Sequence, residues 1–226
     1  MSQLLRHVGR WLCLFLLLVL IAPFPLVLAL RVFEPPTTTV ILLRTAQRLL
    51  DGERPFAPRR QPVPLARVSP YLRQAVLAAE DARFYHHYGF DFREIARALD
   101  DYEQGKRLRG ASTITQQTAK NLFLWDGRSL LRKGLEAYLT VVLETLLPKD
   151  RILEIYLNLA EWGDAVFGAE MAAQQHYGKA AASLSREEAA RLAAILPNPR
   201  GRQVDDPAAR RRARLIRGRM SRQVAP

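Results

Sequence analysis

Hydrophobic and polar positions follow helical spacing along most of this chain. Residues 11–30 form an uncharged, largely apolar run, and a proline-rich stretch separates it from a long patterned region that begins at residue 69. There, apolar residues recur three and four positions apart, starting with Leu72, Ala75 and Val76. This spacing is typical of one face of a helix, and strand-like alternation is sparse. The pattern predicts an all-α domain behind an N-terminal apolar segment.

Capping residues, glycines and prolines mark where the helices should begin and end. Serine, threonine and aspartate favour the position before a helix, and glycine and proline favour its end. The predicted starts lie at Ser69, Asp91, Ser129, Asp150 and Ser185, and the predicted stops at Gly105, Pro148, Gly163 and Pro197. Asp91 with Glu94 has the spacing of a capping box.

The first apolar run is long enough to cross a membrane. The residues between Arg10 and Arg31 carry no charge, and a helix needs about 20 apolar residues to span the hydrocarbon core. We therefore predict a short tail at residues 1–10 and a transmembrane anchor at residues 11–31. The alternative is a cleaved secretory signal, which has a shorter apolar stretch and a small-residue cleavage site. Arginines flank both ends, so charge does not decide the orientation.

The remaining chain divides into a linker and one domain. Prolines punctuate residues 55–70, so residues 32–68 are predicted to form a linker with an extended spacer. Residues 69–226 are predicted to form the domain. Its end, after residue 200, is rich in arginine and predicts a terminal helix with a solvated basic face. Contact of that face with lipid headgroups is the alternative.

Composition narrows the partners without choosing among them. The chain has 34 lysines and arginines against 22 acidic residues, a net charge of +12. Such an excess favours nucleic acid, anionic lipid headgroups or a phosphorylated substrate. Cys13 is the single cysteine, so no intramolecular disulfide can form, and the four histidines show no metal-ligand spacing.

Glu80 is the first residue that could perform chemistry. It lies on the same predicted helix as Leu72 and borders the apolar face near the end of that helix. A sheltered carboxylate has its pKa raised by desolvation, which suits a general base. The alternative is a solvated Glu80 paired with Arg83 at i+3. Asp81 could cap the following turn.

A polar run at residues 110–121, GASTITQQTAKN, concentrates hydroxyl and amide groups around Lys120. These groups suit sugar hydroxyls and phosphate oxygens. Ser112 or Thr113 as an ordinary helix cap explains one of these residues but not the whole run. Further cations follow, and together with Lys120 they could stabilise a leaving pyrophosphate, unless they form only a solvated face.

Glu136 stands among those cations. It is four residues after Arg132 and three after Lys133, so a buried or cleft-facing ion cluster is available on one helix face. An ordinary surface salt bridge is the alternative.

Taken together, these stretches resemble the monofunctional peptidoglycan glycosyltransferases, a lysozyme-like family that also forms the polymerising half of bifunctional penicillin-binding proteins. The matching stretches, in the family's order, are EDARFYHHYG (80–89), GASTITQQTAKN (110–121), RKGLE (132–136), KDRILEIYLNLAEWG (149–163), YGK (177–179) and EEAARLAAILPNP (187–199). The resemblance covers roughly residues 65–200. It implies a lysozyme-like α lobe, a small membrane-facing lobe and one N-terminal transmembrane helix.

The resemblance also implies a reaction. Glu80 would take the proton from the 4-hydroxyl of an N-acetylglucosamine on lipid II, which attacks the anomeric carbon of the growing chain and forms a β-1,4 bond. Glu136 would be the second catalytic glutamate. The candidate substrate-binding residues are Asp81, Arg83, Phe84, Arg97, Ser112, Thr115, Gln116, Gln117, Lys120, Asn121, Arg128, Arg132 and Lys133.

Partners, cofactors and location follow from the same resemblance. The expected partners are lipid II, the nascent glycan strand and membrane lipids, and they can include other cell-wall synthesis or division proteins. Nucleic acid is not an expected partner. No cofactor or metal is required, although some family members bind a divalent ion such as Mg or Mn at the pyrophosphate. The expected location is the bacterial cytoplasmic (inner) membrane, with a single pass and the catalytic domain in the periplasm.

The sequence also bears on a transpeptidase domain and on two alternative functions. We expect no transpeptidase domain, because few residues follow the last motif and no Ser-x-x-Lys is paired with a Lys-Thr-Gly element. A lysozyme-like lytic transglycosylase or hydrolase is the nearest rival, but it has no pyrophosphate to bind. A basic, membrane-anchored module that binds wall polymer would explain the charge, but not two glutamates among cations.

Overall fold

The computed structural model of this protein describes residues 2–52, 59–106, 110–127 and 129–220. Helices dominate these ranges, which confirms the expected all-α class. They are α1 (Ser2–Ile21), α2 (Pro23–Ala29), α3 (Thr39–Leu50), α4 (Pro70–Glu80), α5 (Phe92–Glu103), α6 (Ile114–Phe123), α7 (Leu130–Leu146), α8 (Lys149–Leu159), α9 (Ala169–Tyr177), α10 (Arg186–Ile195) and α11 (Pro207–Met220). Three short strands are β1 (Arg59–Arg60), β2 (Glu161–Gly163) and β3 (Val166–Phe167).

Most predicted helix starts are confirmed by side-chain caps. First-turn backbone N–H groups donate to the side chains of Ser69, Asp91, Ser129 and Ser185. The predicted start at Asp150 is two residues late, because Pro148 is the N-cap of α8 and Asp150 lies in its first turn. Gly105 follows the C-cap of α5 with a positive φ of 75°, a conformation that glycine adopts without strain.

The prediction that a helix continues to Gly163 is wrong. It ends at Leu159, and residues 161–163 instead form β2, which pairs antiparallel with β3. β1 pairs in parallel with the other side of β3, so the sheet order is β1-β3-β2. Strands of two or three residues are too short to produce a readable alternation of polar and apolar positions.

The core joins the helices around two packed groups. α4, α10 and α11 pack against one another, and α6 packs between α7 and α8. Trp162, Phe84 and Leu72 are among the largest side chains in this core and are almost completely buried. The two groups meet at the end of α4 and the face of α6, which is where the candidate site lies.

The apolar N-terminal segment comprises α1 and α2, and its C-terminal end packs against the domain. The segment Arg6–Ala29 has 24 residues and contains an 18-residue window with a mean hydropathy of 2.9, so it is long and apolar enough to cross a membrane. α1 ends at Ile21 and α2 begins at Pro23, as expected for a proline that cannot continue the helical hydrogen bonds. α2 packs on α7, and Val27 and Leu30 belong to the domain core.

The segment predicted as a linker, residues 32–68, contacts the domain at several of its described residues. Thr39 at the start of α3 donates a hydrogen bond to the carbonyl of Leu122 at 2.9 Å. Arg48 near the end of α3 pairs with Asp164 at 2.8 Å, and β1 belongs to the sheet. Residues 59 and 60 are extended, as predicted, but they form β1 of the sheet and are not a free spacer, and residues 53–58 lie outside the described residues.

Candidate active site

Glu80 is the last residue of α4, and its carboxylate lies where α4, α6 and α11 meet. Gln117 on α6 donates from Nε2 to Glu80 Oε2 at 3.1 Å, and Arg212 on α11 donates to Oε1 at 3.4 Å. Only 13% of the Glu80 side chain is exposed, so the expected sheltered position is confirmed. The alternative pairing of Glu80 with Arg83 is wrong, because Arg83 pairs with Asp91.

Burial raises the pKa of the Glu80 carboxyl above its ordinary value. The hydrogen bond from Gln117 and the positive charge of Arg212 lower that pKa, and the negative charge of Asp81 raises it. Burial is the largest of these effects, so the net shift is upward. A sheltered carboxylate that already accepts hydrogen bonds in a fixed direction suits a general base.

A cavity of about 650 Å³ opens beside Glu80. This volume lies within the range of roughly 300–1,000 Å³ common for ligand pockets. Its walls come from the end of α4, from α5, from the loop before α6 and from α11. The polar side chains that line it include Glu80, Asp81, Arg97, Ser112, Gln117 and Arg212. Four of the predicted substrate-binding residues therefore share one cavity with Glu80.

A second, smaller cavity of about 190 Å³ lies on the other side of Gln117. Lys120 and Asn121 of α6 line it together with Arg44 of α3 and Glu161 of β2. Gln117 lines both cavities and so forms part of the wall between them. Lys120 is half-buried, and its side-chain ammonium has no hydrogen-bond or ion-pair partner among the described residues. An unpaired cation in a cavity is available to bind an anion.

Asp81 fixes the position of its neighbour Glu80. Its carboxylate is buried and accepts hydrogen bonds from the backbone N–H of Ile114 at 3.0 Å and from His87 Nε2 at 2.9 Å. Because Ile114 is the first residue of α6, Asp81 ties the end of α4 to the start of the helix that carries Gln117. Asp81 is the C-cap position of α4, but its side chain bonds to His87 and Ile114, and the described contacts do not show it capping the turn that follows.

Three predicted substrate-binding residues belong to the interior. Phe84 is a core side chain, and Thr115 is buried and donates a hydrogen bond to Glu144. Gln116 is buried in a capping box with Thr113, which confirms the simpler interpretation of Thr113 as a helix cap. In this conformation these three side chains have no surface to offer a substrate, and they support the site by packing and capping.

Glu136 forms the predicted ion cluster on α7. Its side chain is 5% exposed, and it accepts from Arg132 at 2.8 Å and from Lys133. A buried carboxylate between two cations is not an ordinary surface salt bridge, so that alternative is wrong. The cluster lines neither cavity, although α7 packs directly against α6. Arg128, the remaining predicted cation, lies outside the described residues.

Comparison with known proteins identifies the family. The sequence model of the family described as "Transglycosylase" matches residues 47–221. The chain belongs to the transglycosylase family. A protein of Pseudomonas fluorescens (strain SBW25) named biosynthetic peptidoglycan transglycosylase is 51% identical over 203 residues, covering 89% of this chain and 84% of that protein. Relatives of the same name from Ectopseudomonas mendocina (strain ymp) and Xanthomonas campestris pv. campestris (strain B100) are each 48% identical, over 96% and 86% of this chain and 90% and 79% of theirs.

The family match includes an element whose role in this transglycosylase the sequence interpretation missed. α11 lies within the matched range, and it is not only a solvated basic helix. Ala209, Ala213, Ile216 and Met220 are buried. Their helical spacing was the available signal that one face of α11 packs on the domain and brings Arg212 to the cavity.

The transglycosylase also places Glu161 in the second cavity, which the sequence interpretation did not anticipate. Arg44 pairs with it at 3.0 Å, and burial raises the pKa of Glu161 while Arg44 and Arg200 lower it. Glu161 lies within the quoted stretch KDRILEIYLNLAEWG, but that stretch does not reveal its pairing, because its partner Arg44 belongs to a distant helix that was predicted as linker.

One group of side chains in the transglycosylase has atoms close enough to hold a metal ion. Asp81, His87 and Asp91 offer ligand atoms within 4.8 Å of one another. Asp81 is already bonded to His87 and to a backbone N–H, and Asp91 accepts from Arg83 and from the first turn of α5. Because the positively charged Arg83 pairs with Asp91, this group of side chains is better suited to a buried hydrogen-bond network than to a metal site.

Two further carboxylates, Glu161 in the second cavity and Glu136 on α7, do not favour a metal ion either. Glu161 is paired with Arg44, and Glu136 with Arg132 and Lys133. These cations leave a donor set that suits an anionic ligand.

Proposed function

We propose that this transglycosylase polymerises lipid II into β-1,4-linked glycan strands and releases undecaprenyl diphosphate during bacterial cell-wall growth. The family match and the name shared by its relatives support this substrate. The observation that carries the proposal is the position of Glu80. It is a sheltered carboxylate beside a large cavity, and one amide side chain separates it from a second cavity, where the Lys120 ammonium has no partner among the described residues.

In the proposed reaction, Glu80 accepts the proton of the acceptor 4-hydroxyl. The oxygen attacks the anomeric carbon of the donor, the bond from that carbon to the diphosphate breaks, and the electron pair leaves with the diphosphate. The proton stays on Glu80 until solvent removes it. A positioned base contributes about 10²- to 10⁴-fold. Orientation of the two substrates and cations near the diphosphate must supply the remainder.

The two cavities suggest how the substrates are arranged. The acceptor sugar occupies the larger cavity, where Arg97 and Ser112 can contact it beside Glu80. The donor diphosphate lies towards Lys120 and Asn121, because that lysine has no competing partner among the described residues. Glu136 holds its two cationic neighbours in place on α7, which packs against α6, and there they add positive charge to the surface around the site. No metal ion is needed in this arrangement, and a divalent Mg or Mn ion would only add positive charge at the diphosphate.

The lipid-linked substrate gives the membrane anchor a purpose. A lipid-linked substrate stays in the bilayer, so an enzyme on the same surface meets it at high effective concentration. We propose a single pass through the cytoplasmic membrane, with residues 1–10 in the cytoplasm and the domain in the periplasm. Leu130 and Leu131 at the start of α7 are exposed beside the cations of that helix. An apolar and cationic surface of this kind suits the membrane interface.

Polymerisation of labelled lipid II in detergent by the purified full chain tests this function. Glu80→Gln should abolish polymer formation while the fold, followed by circular dichroism, is unchanged. Glu103→Gln, the same change at an exposed position on α5, should retain activity. Release of soluble muropeptides from finished cell wall, without polymer from lipid II, would instead support a lytic enzyme. Full activity of Glu80→Gln would overturn the assignment of the base.

A further inference from the structure

Gln117 is bonded at both ends of its side-chain amide. Its Nε2 donates to Glu80 at 3.1 Å, and its Oε1 accepts from the hydroxyl of Tyr156 on α8 at 3.2 Å. The three side chains thus form one chain of hydrogen bonds that runs from α8 through α6 to the end of α4. Hydrogen bonds connected in this way polarise and strengthen one another.

The direction of the chain is set by what each group can do. An ionised carboxylate only accepts hydrogen bonds, whereas a primary amide can present either its NH₂ or its oxygen. With Tyr156 donating to the oxygen, the NH₂ group must face Glu80. Without that donor the amide could turn over and point its oxygen at the carboxylate, where two acceptors would repel each other.

Tyr156 is suited to act as a permanent donor. Its side chain belongs to the buried core and packs between α6 and α8. Burial raises the pKa of Tyr156 well above its ordinary value, and the nearby Glu80 and Asp81 raise it further. The phenol therefore keeps its proton throughout the pH range in which a carboxylate base works.

We infer that Tyr156 is a positioning residue for the base, because it holds the Gln117 amide in the orientation whose N–H group donates to Glu80. The inference rests on the proposed role of Glu80 as the base. Tyr156 acts through Gln117 and performs no proton transfer with the substrate. The sequence did not indicate this role, because it shows neither that Tyr156 is buried nor that its hydroxyl reaches Gln117.

Other charged groups face Glu80 and are unaffected by a change at Tyr156. Arg212 comes from α11 and Asp81 follows Glu80 in the chain. Farther along the same cavity lie Asp91, Glu94, Arg97 and Arg219. Removing only the Tyr156 hydroxyl thus isolates the orientation of Gln117 from these charges.

The test is the pH dependence of kcat/KM for lipid II polymerisation by Tyr156→Phe. Because the Gln117 N–H group lowers the pKa of Glu80, losing its fixed orientation should raise that pKa and move the acid limb of the profile to higher pH. We expect a loss on the order of 10-fold at the pH of the wild-type acid limb, shrinking as the pH rises. Tyr177→Phe, which removes a hydroxyl 3.5 Å from the carbonyl of Glu188, should leave the profile unchanged.

A double-mutant cycle separates positioning from packing. Gln117→Met should shift the acid limb by itself, and adding Tyr156→Phe to it should have no further effect. Additive effects, or an unchanged acid limb in a folded Tyr156→Phe protein, would overturn the inference. If Tyr156→Phe does not fold, Tyr156→Met provides the test, since it also fills the buried position and removes the donor to Gln117. There the acid limb must rise, and an unchanged limb would overturn the inference.

Failure of the proposed function has a different signature. If Glu80 is not the base, Glu80→Gln keeps its activity whatever Tyr156→Phe does. If only the inference about Tyr156 fails, Glu80→Gln is inactive while Tyr156→Phe retains the wild-type profile.

Discussion

The guanidinium of Arg212 lies 3.4 Å from the carboxylate of Glu80, although 132 positions separate them in the chain. This contact makes α11 a wall of the candidate active site. It also places a permanent positive charge beside the proposed base. The arginine-rich end of the chain therefore contributes to the site, and its contact with Glu80 is made by Arg212.

Arg212→Met should move the acid limb of the polymerisation profile to higher pH. Arg212 lowers the pKa of Glu80, so its removal lets burial raise that pKa further, and less base is ionised at a given pH. Arg212 is 37% exposed, and solvent screening limits the effect to roughly 3- to 10-fold at the pH of the acid limb. Arg210→Met, at an exposed position paired with Asp205 on the same helix, is the control and should leave the limb in place.

Lys120→Met should reduce polymerisation by on the order of 10²- to 10³-fold, the usual cost of losing one group that stabilises developing negative charge. The reason is that Lys120 is unpaired among the described residues and lines the second cavity. Steady-state rates with lipid II measure the loss. Lys106→Met removes an exposed lysine that pairs with Asp101 and should have little effect. Equal losses in both variants would argue against a specific role for Lys120.

Glu136→Gln should lower both stability and activity. The carboxylate is buried and accepts from Arg132 and Lys133, so neutralising it weakens hydrogen bonds between charged groups worth about 1.5–3 kcal/mol each. Urea denaturation should report the loss of stability. Polymerisation should fall further than stability alone explains, because the two cations lose their fixed positions. Unchanged activity in the folded variant would exclude Glu136 from the site.

Arg151→Ala should loosen the junction between the apolar N-terminal helix and the domain. Arg151 donates to the carbonyls of Leu30 and Phe33 and pairs with Glu34 and Glu154. Losing these bonds should cost about 1–3 kcal/mol and increase proteolysis near the junction. Limited proteolysis in detergent measures the effect.

Arg31→Ala is the control for that junction. Arg31 lies next to the same segment and is exposed. The Arg31→Ala protein should be cleaved at the wild-type rate. Equal protection of the Arg151 and Arg31 variants would mean that Arg151 does not hold the junction.

Local chemistry explains what could be predicted. The caps at Ser69, Asp91 and Ser185 depend on side chains one to three residues from the N–H groups they satisfy, so sequence spacing reveals them. The length of the apolar run is equally local. The cluster of Glu136 with its neighbours was predictable because all three lie on one face of a single helix.

The failures come from contacts between distant segments. Gln116 and Gln117 are adjacent and chemically identical, yet one is buried in a capping box and the other forms a wall between two cavities. Successive helix residues point about 100° apart, and which direction meets the cleft depends on how α6 packs against its neighbours. The predicted linker failed for the same reason, since β1 is a strand only because β3 lies beside it.

The sequence by itself determined the helices, the apolar N-terminal segment and the order of the motifs that mark the family, because each depends on residues close together in the chain. Only the tertiary structure decided that Glu80, Gln117, Tyr156 and Arg212 meet at one point. Four helices carry them, and the packing of buried side chains far from the site sets the distances between those helices.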